Sequence, residues 1–296
     1  LSKGKTDLLF VEAAVNDATN GRTDKEQIRA MEGIVRHLRK SNAAIDIVMM
    51  HFVDSEKMEN YRGGGEPQVI INHSKVSSHY NVSTINLAKE VTERIDNGEF
   101  TWKDDFINLH PSPFGQGIYA NSMIQLLDNG YSGHIDADDK ITSQAMPGKL
   151  DPMCYNNGAL IDISSIKLSK GWVIDQSWNP NDGTGSRANY IDVPMLISQK
   201  PGSVISTNFK GNIVGIAVAA GQDAGIIEYR IDKEEWLKQD LFTRWSKSLH
   251  LPWYYTLATG LSSGDHKLEI RISEDKNEQS TGNACRIRYF YLNKFK

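Results

Sequence analysis

The chain contains 296 residues, of which 39% are hydrophobic and 24% are charged, proportions that are ordinary for a globular protein. Its net charge of −4 offers no electrostatic basis for binding nucleic acid or an anionic membrane. No apolar run of about 18 residues is present to span a bilayer, and the length is sufficient for two domains.

The first part of the sequence alternates between predicted strands and helices. Residues 7–15 are almost entirely apolar and predict a buried strand, which ends abruptly at Asn16. A capping-box pattern then predicts a helix over residues 24–41. A second buried strand is expected over residues 45–53.

The same alternation continues toward residue 97. Residues 54–66 show neither the helical nor the strand-like spacing of apolar residues, and they predict an irregular surface loop. Helices are expected over residues 67–79 and 87–97, with a short strand near residues 84–87. This order predicts an α/β domain with a parallel sheet flanked by helices.

One histidine is notable because it precedes the last predicted helix of this domain. His110 lies in a short loop, and Ser112 and Pro113 suit the N-cap and first helical positions of the following helix. A loop at the end of a rigid element is a common place for a catalytic imidazole. A surface role or a structural role in the core is commoner for histidine, and it is the alternative here.

The composition changes near residue 131, where Gly, Asp and Ser increase and the periodicity is lost. We therefore predict an α/β domain over residues 1–133, a linker over residues 134–150 and a second domain over residues 151–296. The second domain contains short alternating runs separated by turn residues. These runs predict an antiparallel, jelly-roll-like β-sandwich.

The second domain also contains a segment rich in aromatic residues. Trp245, His250 and Trp253 are its candidate substrate-binding residues, because a ring in a loop offers a flat face that can stack on a sugar. The alternative is that these rings fill the sandwich core, where aromatic side chains contribute most burial. Pro252 keeps the preceding residue out of the helical region, which predicts an extended loop around His250.

Two short motifs in the first domain resemble the third and fifth sequence blocks of the SGNH (GDSL-type) hydrolase family. Ala14-Val15-Asn16-Asp17 resembles the Gly-x-Asn-Asp block, and Ile107-Asn108-Leu109-His110-Pro111 resembles the Asp-x-x-His-Pro block. The sequence departs from the family at Ala14 and at Ile107, which occupies the place of an aspartate. The resemblance covers roughly residues 5–130 and implies an SGNH/flavodoxin-like α/β fold.

The resemblance also implies a serine ester hydrolase that needs no cofactor. Its substrate would be an O-acylated carbohydrate, with acetyl as the expected acyl group, or another small ester, and its location secreted or periplasmic. His110 would be the general base and Asn16 an oxyanion donor. Asp105 or Asn108 would orient the His110 ring, and a main-chain carbonyl or no partner is the remaining alternative. Asn108 is also a candidate substrate-binding residue.

The family's Gly-Asp-Ser block, which carries the nucleophile, does not occur in the sequence. Ser112 lies close to His110 but is expected to cap a helix. We therefore expect this chain, which opens at Leu1 rather than Met, to begin inside the hydrolase domain and to lack its first strands. A homo-oligomer or a missing N-terminal segment would then cover the exposed sheet edge.

The competing function is a non-catalytic carbohydrate-binding protein with a degenerate hydrolase domain, and the departures at Ala14 and Ile107 favour it. A surface assembly module without sugar affinity is a third alternative. The histidines show no metal-binding spacing, so no metal site is expected. Cys154 and Cys285 are expected to be free thiols, with a disulfide as the alternative.

Overall fold

The computed structural model describes residues 6–133 and 140–294 of the chain. The chain folds into two compact units, Leu1–Asn156 and Asn157–Lys296, which we call the α/β unit and the β unit. By this division, residues 140–150 of the predicted linker fall within the α/β unit. Residues 134–139 of that linker lie outside the described residues.

The α/β unit is built from short strands that alternate with helices. In chain order they are β1 (Leu8–Glu12), α1 (Ala14–Thr19), α2 (Asp24–Ser41), β2 (Asp46–Met50), α3 (Ser55–Arg62), α4 (Gln68–Tyr80), β3 (Ser83–Ile85), α5 (Leu87–Asp96), a π-helical turn (Trp102–Phe106) and α6 (Pro113–Gly130). The predicted capping box of Thr23 and Glu26 is present at the start of α2. Met31 and Val35 lie on the buried face of that helix, as its apolar spacing requires.

The three strands of this unit form a parallel sheet in the order β1-β2-β3, which confirms the predicted parallel α/β architecture. The register pairs Leu8 of β1 with Asp46 of β2. Val48 belongs to one buried cluster and its neighbour Ile47 to another, so both faces of β2 are covered by apolar side chains. Within the described residues, β1 pairs only with β2 and is therefore an edge strand.

Two predicted elements of this unit differ from the structure. β1 ends at Glu12, earlier than predicted, because the chain turns there and α1 begins at Ala14. Asn16 therefore lies on a short helix rather than at the end of a strand. The predicted irregular segment over residues 54–66 contains α3, which Asp54 caps at its N-terminus.

Residues 140–156, which we call the α2 strap, pack along α2 without forming a helix or a strand. The Arg39 guanidinium donates to the Ala145 carbonyl at 2.6 Å, and that of Arg36 donates to the Pro147 carbonyl at 2.8 Å. Because these arginines are on one face of α2, the strap is part of the packed α/β unit.

The β unit contains strands, short 3₁₀ turns and loops. Its strands are β4 (Gly158–Asp162), β5 (Val173–Trp178), β6 (Gly185–Ser186), β7 (Val193–Ser198), β8 (Val204–Lys210), β9 (Ile213–Ala220), β10 (Ile226–Ile231), β11 (Leu237–Asp240), β12 (Leu249–Thr259), β13 (Asp265–Ile272) and β14 (Cys285–Asn293). One sheet has the order β11-β10-β13-β8, and the other has the order β5-β7-β14-β9-β12-β6 with β4 beside β14. Pairing is antiparallel except between β12 and β6.

The two sheets of the β unit share one apolar core. Ile216 comes from β9 in the larger sheet, whereas Ile227 and Ile270 come from β10 and β13 in the smaller one, and all three belong to the same buried cluster. The sheets therefore pack face to face, and the predicted antiparallel β architecture is confirmed.

The segment around His250, predicted as an extended loop, is instead the strand β12 of 11 residues. Pro252 is paired with Ala219 of β9. On its other side, β12 pairs with β6 only at Leu249 and His250, so Pro252 lies at an edge within the described residues. An edge position tolerates proline because no partner strand needs its missing N–H.

Cys154 and Cys285 are both buried and, as predicted, do not form a disulfide. Cys154 belongs to the α/β unit and Cys285 is the first residue of β14. Burial raises the pKa of the Cys285 thiol to about 12, so this residue remains protonated and unreactive at neutral pH.

Candidate active site

A cleft with a volume of about 510 Å³ opens beyond the carboxyl ends of β1 and β2. Asn16 on α1 and His110 in the loop before α6 both line it, although they are far apart in the sequence. Parallel strands bring their carboxyl ends to the same edge of a sheet, which explains how the two residues meet. The other lining residues are Glu12, Val15, Phe52, Leu109, Pro111, Gln116 and Tyr119.

The backbone around His110 is held in a tight turn. Directly after the π-helical turn, Ile107 adopts a φ of +83°, a conformation that β-branched residues rarely adopt. The Asn108 side-chain oxygen accepts a hydrogen bond from the His110 N–H at 2.7 Å. Ser112 accepts one from the Gly115 N–H at 3.2 Å, which confirms its predicted role as the N-cap of α6. The loop is fixed at both ends, and His110 is exposed within it.

Neither side chain that the sequence nominated to orient the His110 ring contacts it. The Asp105 carboxylate accepts hydrogen bonds from the Thr101 N–H at 2.7 Å and from the Thr101 hydroxyl at 2.9 Å, and these bonds lower the pKa of Asp105. Asp105 is directed back toward Thr101, which caps the π-helical turn. The Asn108 amide binds the His110 backbone rather than its ring. Among the described residues, none forms a hydrogen bond with the His110 imidazole.

Glu12 is a cleft residue that the sequence analysis missed. As the last residue of β1, it accepts a hydrogen bond from the Val15 N–H at 3.1 Å and so satisfies one free N–H at the start of α1. Burial raises the pKa of its carboxyl group. The sequence did contain a signal for Glu12, because it is an acidic residue at the end of an otherwise apolar strand.

The apolar part of the cleft includes two stacked aromatic rings. Phe52 and Tyr119 have ring centroids 4.6 Å apart, and the Tyr119 hydroxyl accepts a hydrogen bond from the Val53 N–H at 3.1 Å. Burial raises the pKa of Tyr119, so its hydroxyl stays neutral. Tyr119 was predicted on the apolar face of its helix, whereas no local pattern marked Phe52 or Gln116 as cleft residues.

The residues that line the cleft include no Ser, Thr or Cys. Ser112 is nearest to His110 in sequence, but its hydroxyl donates to the Asp105 carbonyl at 2.5 Å and accepts from the Gly115 N–H. Its hydrogen-bonding capacity is used to hold the loop and cap the helix. The described residues thus place an imidazole and a side-chain amide at this cleft, and no Ser, Thr or Cys side chain.

No group of three or more His, Cys, Asp or Glu side chains in residues 6–133 and 140–294 is arranged to hold a metal ion. No helix in the described part of the chain combines the length and apolarity needed to cross a membrane.

The three substrate-binding candidates of the β unit differ in exposure. The His250 ring is 1% exposed and its Nε2 lies 2.9 Å from the Asp182 carboxylate, so the structure does not support a substrate contact there. Trp253 is half-buried against the sandwich core. Trp245 is 45% exposed, with the Arg244 guanidinium 4.8 Å from its ring centroid. Trp245 is therefore the most exposed of the three, with the Arg244 guanidinium over one face of its ring.

The fold defines the chain as a two-unit protein, with a parallel α/β unit followed by an antiparallel β unit. It is similar to two crystal structures of a two-domain esterase active on acetylated mannans, both at 17% sequence identity. The alignment with the structure co-crystallised with mannopentaose has a TM-score of 0.71 and covers 99% of this chain and 73% of the esterase chain. The other gives a TM-score of 0.68, with coverages of 99% and 74%. No family model and no curated protein match the sequence.

Proposed function

We propose that this protein is a serine ester hydrolase of the SGNH type that deacetylates O-acylated carbohydrate. The observation that carries the proposal is the meeting of Asn16 and His110 in one cleft beyond the carboxyl ends of a parallel sheet. These are the residues to which the family resemblance assigns the oxyanion and base roles. The fold shared with a two-domain esterase supports the same class of reaction.

In the proposed reaction, His110 removes a proton from a serine hydroxyl as the serine oxygen attacks the ester carbonyl carbon. It then returns the proton to the departing sugar oxygen, and water releases the acyl group in a second round. The Asn16 side-chain N–H donates to the carbonyl oxygen as charge develops there, and losing one such donor raises the barrier by about 3–4 kcal/mol. Val15, Phe52 and Leu109 provide an apolar lining that suits an acetyl methyl group.

We propose that the serine is carried by a strand added beside β1, from an upstream segment or from another chain. All five residues of β1 are only half-buried, and its second edge is unpaired in the described residues. An unpaired edge accepts another strand readily. A strand running parallel to β1 would end near Glu12, next to the cleft. The family's Gly-Asp-Ser block occupies such a strand end.

We propose that His110 works without a carboxylate partner, because Ile107 stands where the family has its aspartate and Asp105 is bound to Thr101. Without a carboxylate, the imidazolium is stabilised less in the transition state. The expected rate is therefore lower than that of a complete Ser-His-Asp triad.

The substrate class is proposed to be an acetylated polysaccharide, with the jelly-roll-like β unit holding the chain through Trp245. An indole ring that is 45% exposed can stack on a sugar face. Such a substrate fits a secreted or periplasmic protein. The cleft holds no Lys or Arg, so a neutral acyl sugar matches its lining better than an anionic one.

The test measures acetate release from acetylated manno-oligosaccharides and from p-nitrophenyl acetate. It compares the 296-residue chain with a chain extended to the natural start. The extended chain should hydrolyse both substrates, and His110→Ala or Asn16→Ala should each lower kcat by about 100-fold or more. His37→Ala, an exposed site on α2, is the matched control and should leave kcat unchanged. Full activity in His110→Ala would reject the mechanism.

A second candidate is a non-catalytic carbohydrate-binding protein with a degenerate hydrolase domain. The absence of Ser, Thr and Cys among the residues lining the cleft favours it. In that case neither chain releases acetate, but acetylated mannan retards both in affinity electrophoresis. Trp245→Ala should then abolish the retardation, whereas the control Leu237→Ala, at another exposed apolar residue, should not.

A further inference from the structure

A buried histidine that does not line the cleft contacts the short helix α1. His73 is on α4, its side chain is 1% exposed, and its Nε2 lies 3.1 Å from the Asp17 carboxylate. Asp17 follows Asn16 directly on α1. We propose that His73 is a positioning residue, which holds Asp17 and thereby fixes the direction of the Asn16 amide in the cleft. This inference rests on the proposed function, since it assumes the oxyanion role of Asn16.

The helix α1 is too short to fix Asn16 by itself. It contains six residues, and a helix of this length is not stable without tertiary contacts. Its polar anchors lie on either side of Asn16. The preceding residue, Val15, donates its N–H to Glu12 at 3.1 Å, and the following residue, Asp17, is bound to His73. These two hydrogen bonds, together with the burial of Ala14 and Val15, therefore hold the part of α1 that carries Asn16.

Burial of the His73 imidazole costs free energy. His73 Nδ1 and both ring nitrogens of the neighbouring His51 have no hydrogen-bond partner in the described residues, and the two rings are 5.8 Å apart. A buried polar atom left unpaired is unfavourable, so an apolar side chain would fill this position more readily. The one side-chain hydrogen bond that His73 forms in the described structure is with Asp17, so its contribution lies in that contact.

The experiment compares His73→Leu with His73→Gln in whichever chain form hydrolyses the ester. Leucine removes the donor and should lower kcat by about 10-fold with KM unchanged, since Asn16 acts in the transition state. Glutamine carries an N–H that can reach Asp17 and should restore kcat to within about 3-fold. His51→Leu is the matched control, because it alters the same buried cluster without touching Asp17, and should change kcat by less than about 2-fold.

A double-mutant cycle separates positioning from a general loss of folded protein. If His73 acts through Asn16, Asn16→Ala/His73→Leu should be no slower than Asn16→Ala alone. If the two substitutions instead lower kcat by factors that multiply in the double variant, the proposal is overturned, because a structural defect lowers kcat whether or not Asn16 is present. Equal effects of His73→Leu and His51→Leu would overturn it as well.

A measurement without turnover keeps this inference distinct from the proposed function. The Asn16 side-chain NH₂ signals can be assigned in a ¹⁵N spectrum by their loss in Asn16→Ala. His73→Leu should move their chemical shifts toward those of an asparagine side chain with no fixed orientation, and His73→Gln should restore the original shifts. Unchanged signals in His73→Leu reject the positioning role. Changed signals in a protein without esterase activity retain that role and reject only the catalytic one.

Discussion

The carboxylate of Glu32 on α2 accepts a hydrogen bond of 2.6 Å from the Tyr80 hydroxyl on α4, and both side chains are buried. The same carboxylate accepts hydrogen bonds from the N–H groups of Leu150 and Asp151 in the α2 strap, at 2.7 and 3.0 Å. Glu32 therefore joins two helices and the strap at one buried point. Burial and the Glu32 contact raise the pKa of Tyr80 to about 12.

Removing this carboxylate should destabilise the α/β unit. Glu32→Ala leaves the Tyr80 hydroxyl and two backbone N–H groups without their acceptor, so we expect a loss of about 3 kcal/mol in the free energy of unfolding. Hydrogen exchange in α2 and the strap, followed by mass spectrometry, reports the change in this unit. Glu59→Ala, at an exposed site on α3, should stay within about 0.5 kcal/mol of the parent. A strap that remains protected in Glu32→Ala would contradict this role.

The elements predicted well are those with local signals. α2 and α6 have side-chain N-caps, and the apolar spacing of α2 repeats over its whole length. The prediction missed α3 because Lys57 and Met58 are its buried residues, so it lacks a continuous apolar stripe. The linker over residues 134–150 stays a prediction, and the hydrogen bonds that strap residues in this range form with α2, which is remote in sequence, have no local signal.

The candidate site, like the fold, was predicted only where the sequence carries a local signal. Short motifs related Asn16 to His110, and the parallel topology explains why they share a cleft. The orienting role of Asp105 was inferred from proximity in sequence alone, and capping by Thr101 directs that carboxylate elsewhere. His250 lies in an aromatic segment, but the alternation of β12 buries its ring beside Asp182. The burial of His250 depends on a tertiary contact that no local pattern carries, whereas the Asp105 contact with Thr101 is local and was overlooked.

Acid should destabilise the α/β unit through His51. Burial, followed by the charges of His73 and Lys57, lowers the pKa of His51 from an ordinary 6.5 to about 4. The unfolded chain therefore binds the proton more readily, and stability falls as the pH drops from about 6.5 to about 4. The expected loss is about 3 kcal/mol over that range. Urea denaturation followed by hydrogen exchange in β2 should show this slope, and His51→Leu should flatten it.

The β unit should respond to pH in a different way, through His266 and Asp232. His266 Nδ1 lies 2.5 Å from the Asp232 carboxylate, and this bond, with the Ser262 carbonyl, raises the pKa of His266. Burial would raise the pKa of Asp232, but hydrogen bonds from His266 and the Lys267 N–H outweigh it and lower that pKa. The contribution of His266 to the stability of the folded state is complete below pH 6.5, and it is lost as the pH rises through the raised pKa of His266. The contribution of Asp232 to that stability is complete above pH 3.8, and it is lost as the pH falls through the lowered pKa of Asp232.

The pair should therefore stabilise the β unit most between about pH 4 and pH 6.5. Asp232→Asn should lower the free energy of unfolding at pH 5 by no more than about 1 kcal/mol, because Asp232 is partly exposed, and by less at pH 9. Thermal denaturation at both pH values, with hydrogen exchange in β13, provides the measurement. Asp275→Asn, which removes an exposed ion pair with Lys238 in the same unit, should have little effect at either pH. An equal loss at pH 5 and pH 9 would exclude the titrating pair as the cause.

Gly115 allows α6 to start close against the loop that carries His110. A Cβ added there would lie 2.7 Å from Pro111 Cβ and 2.8 Å from Phe106 Cδ2, distances that real side chains do not reach. Gly115→Ala should therefore push α6 away from the π-helical turn and displace His110, lowering kcat of the active chain by about 10-fold.

Gly117→Ala is the matched control for this substitution, because nothing lies within 4 Å of its added Cβ on the same helix. Alanine has the higher helix propensity, so this variant should be more stable by up to about 1 kcal/mol and keep its kcat. Measuring kcat and unfolding temperature for both variants separates the position of His110 from the stability of α6. If Gly115→Ala keeps full activity, the close contact of α6 with this loop does not set the position of His110.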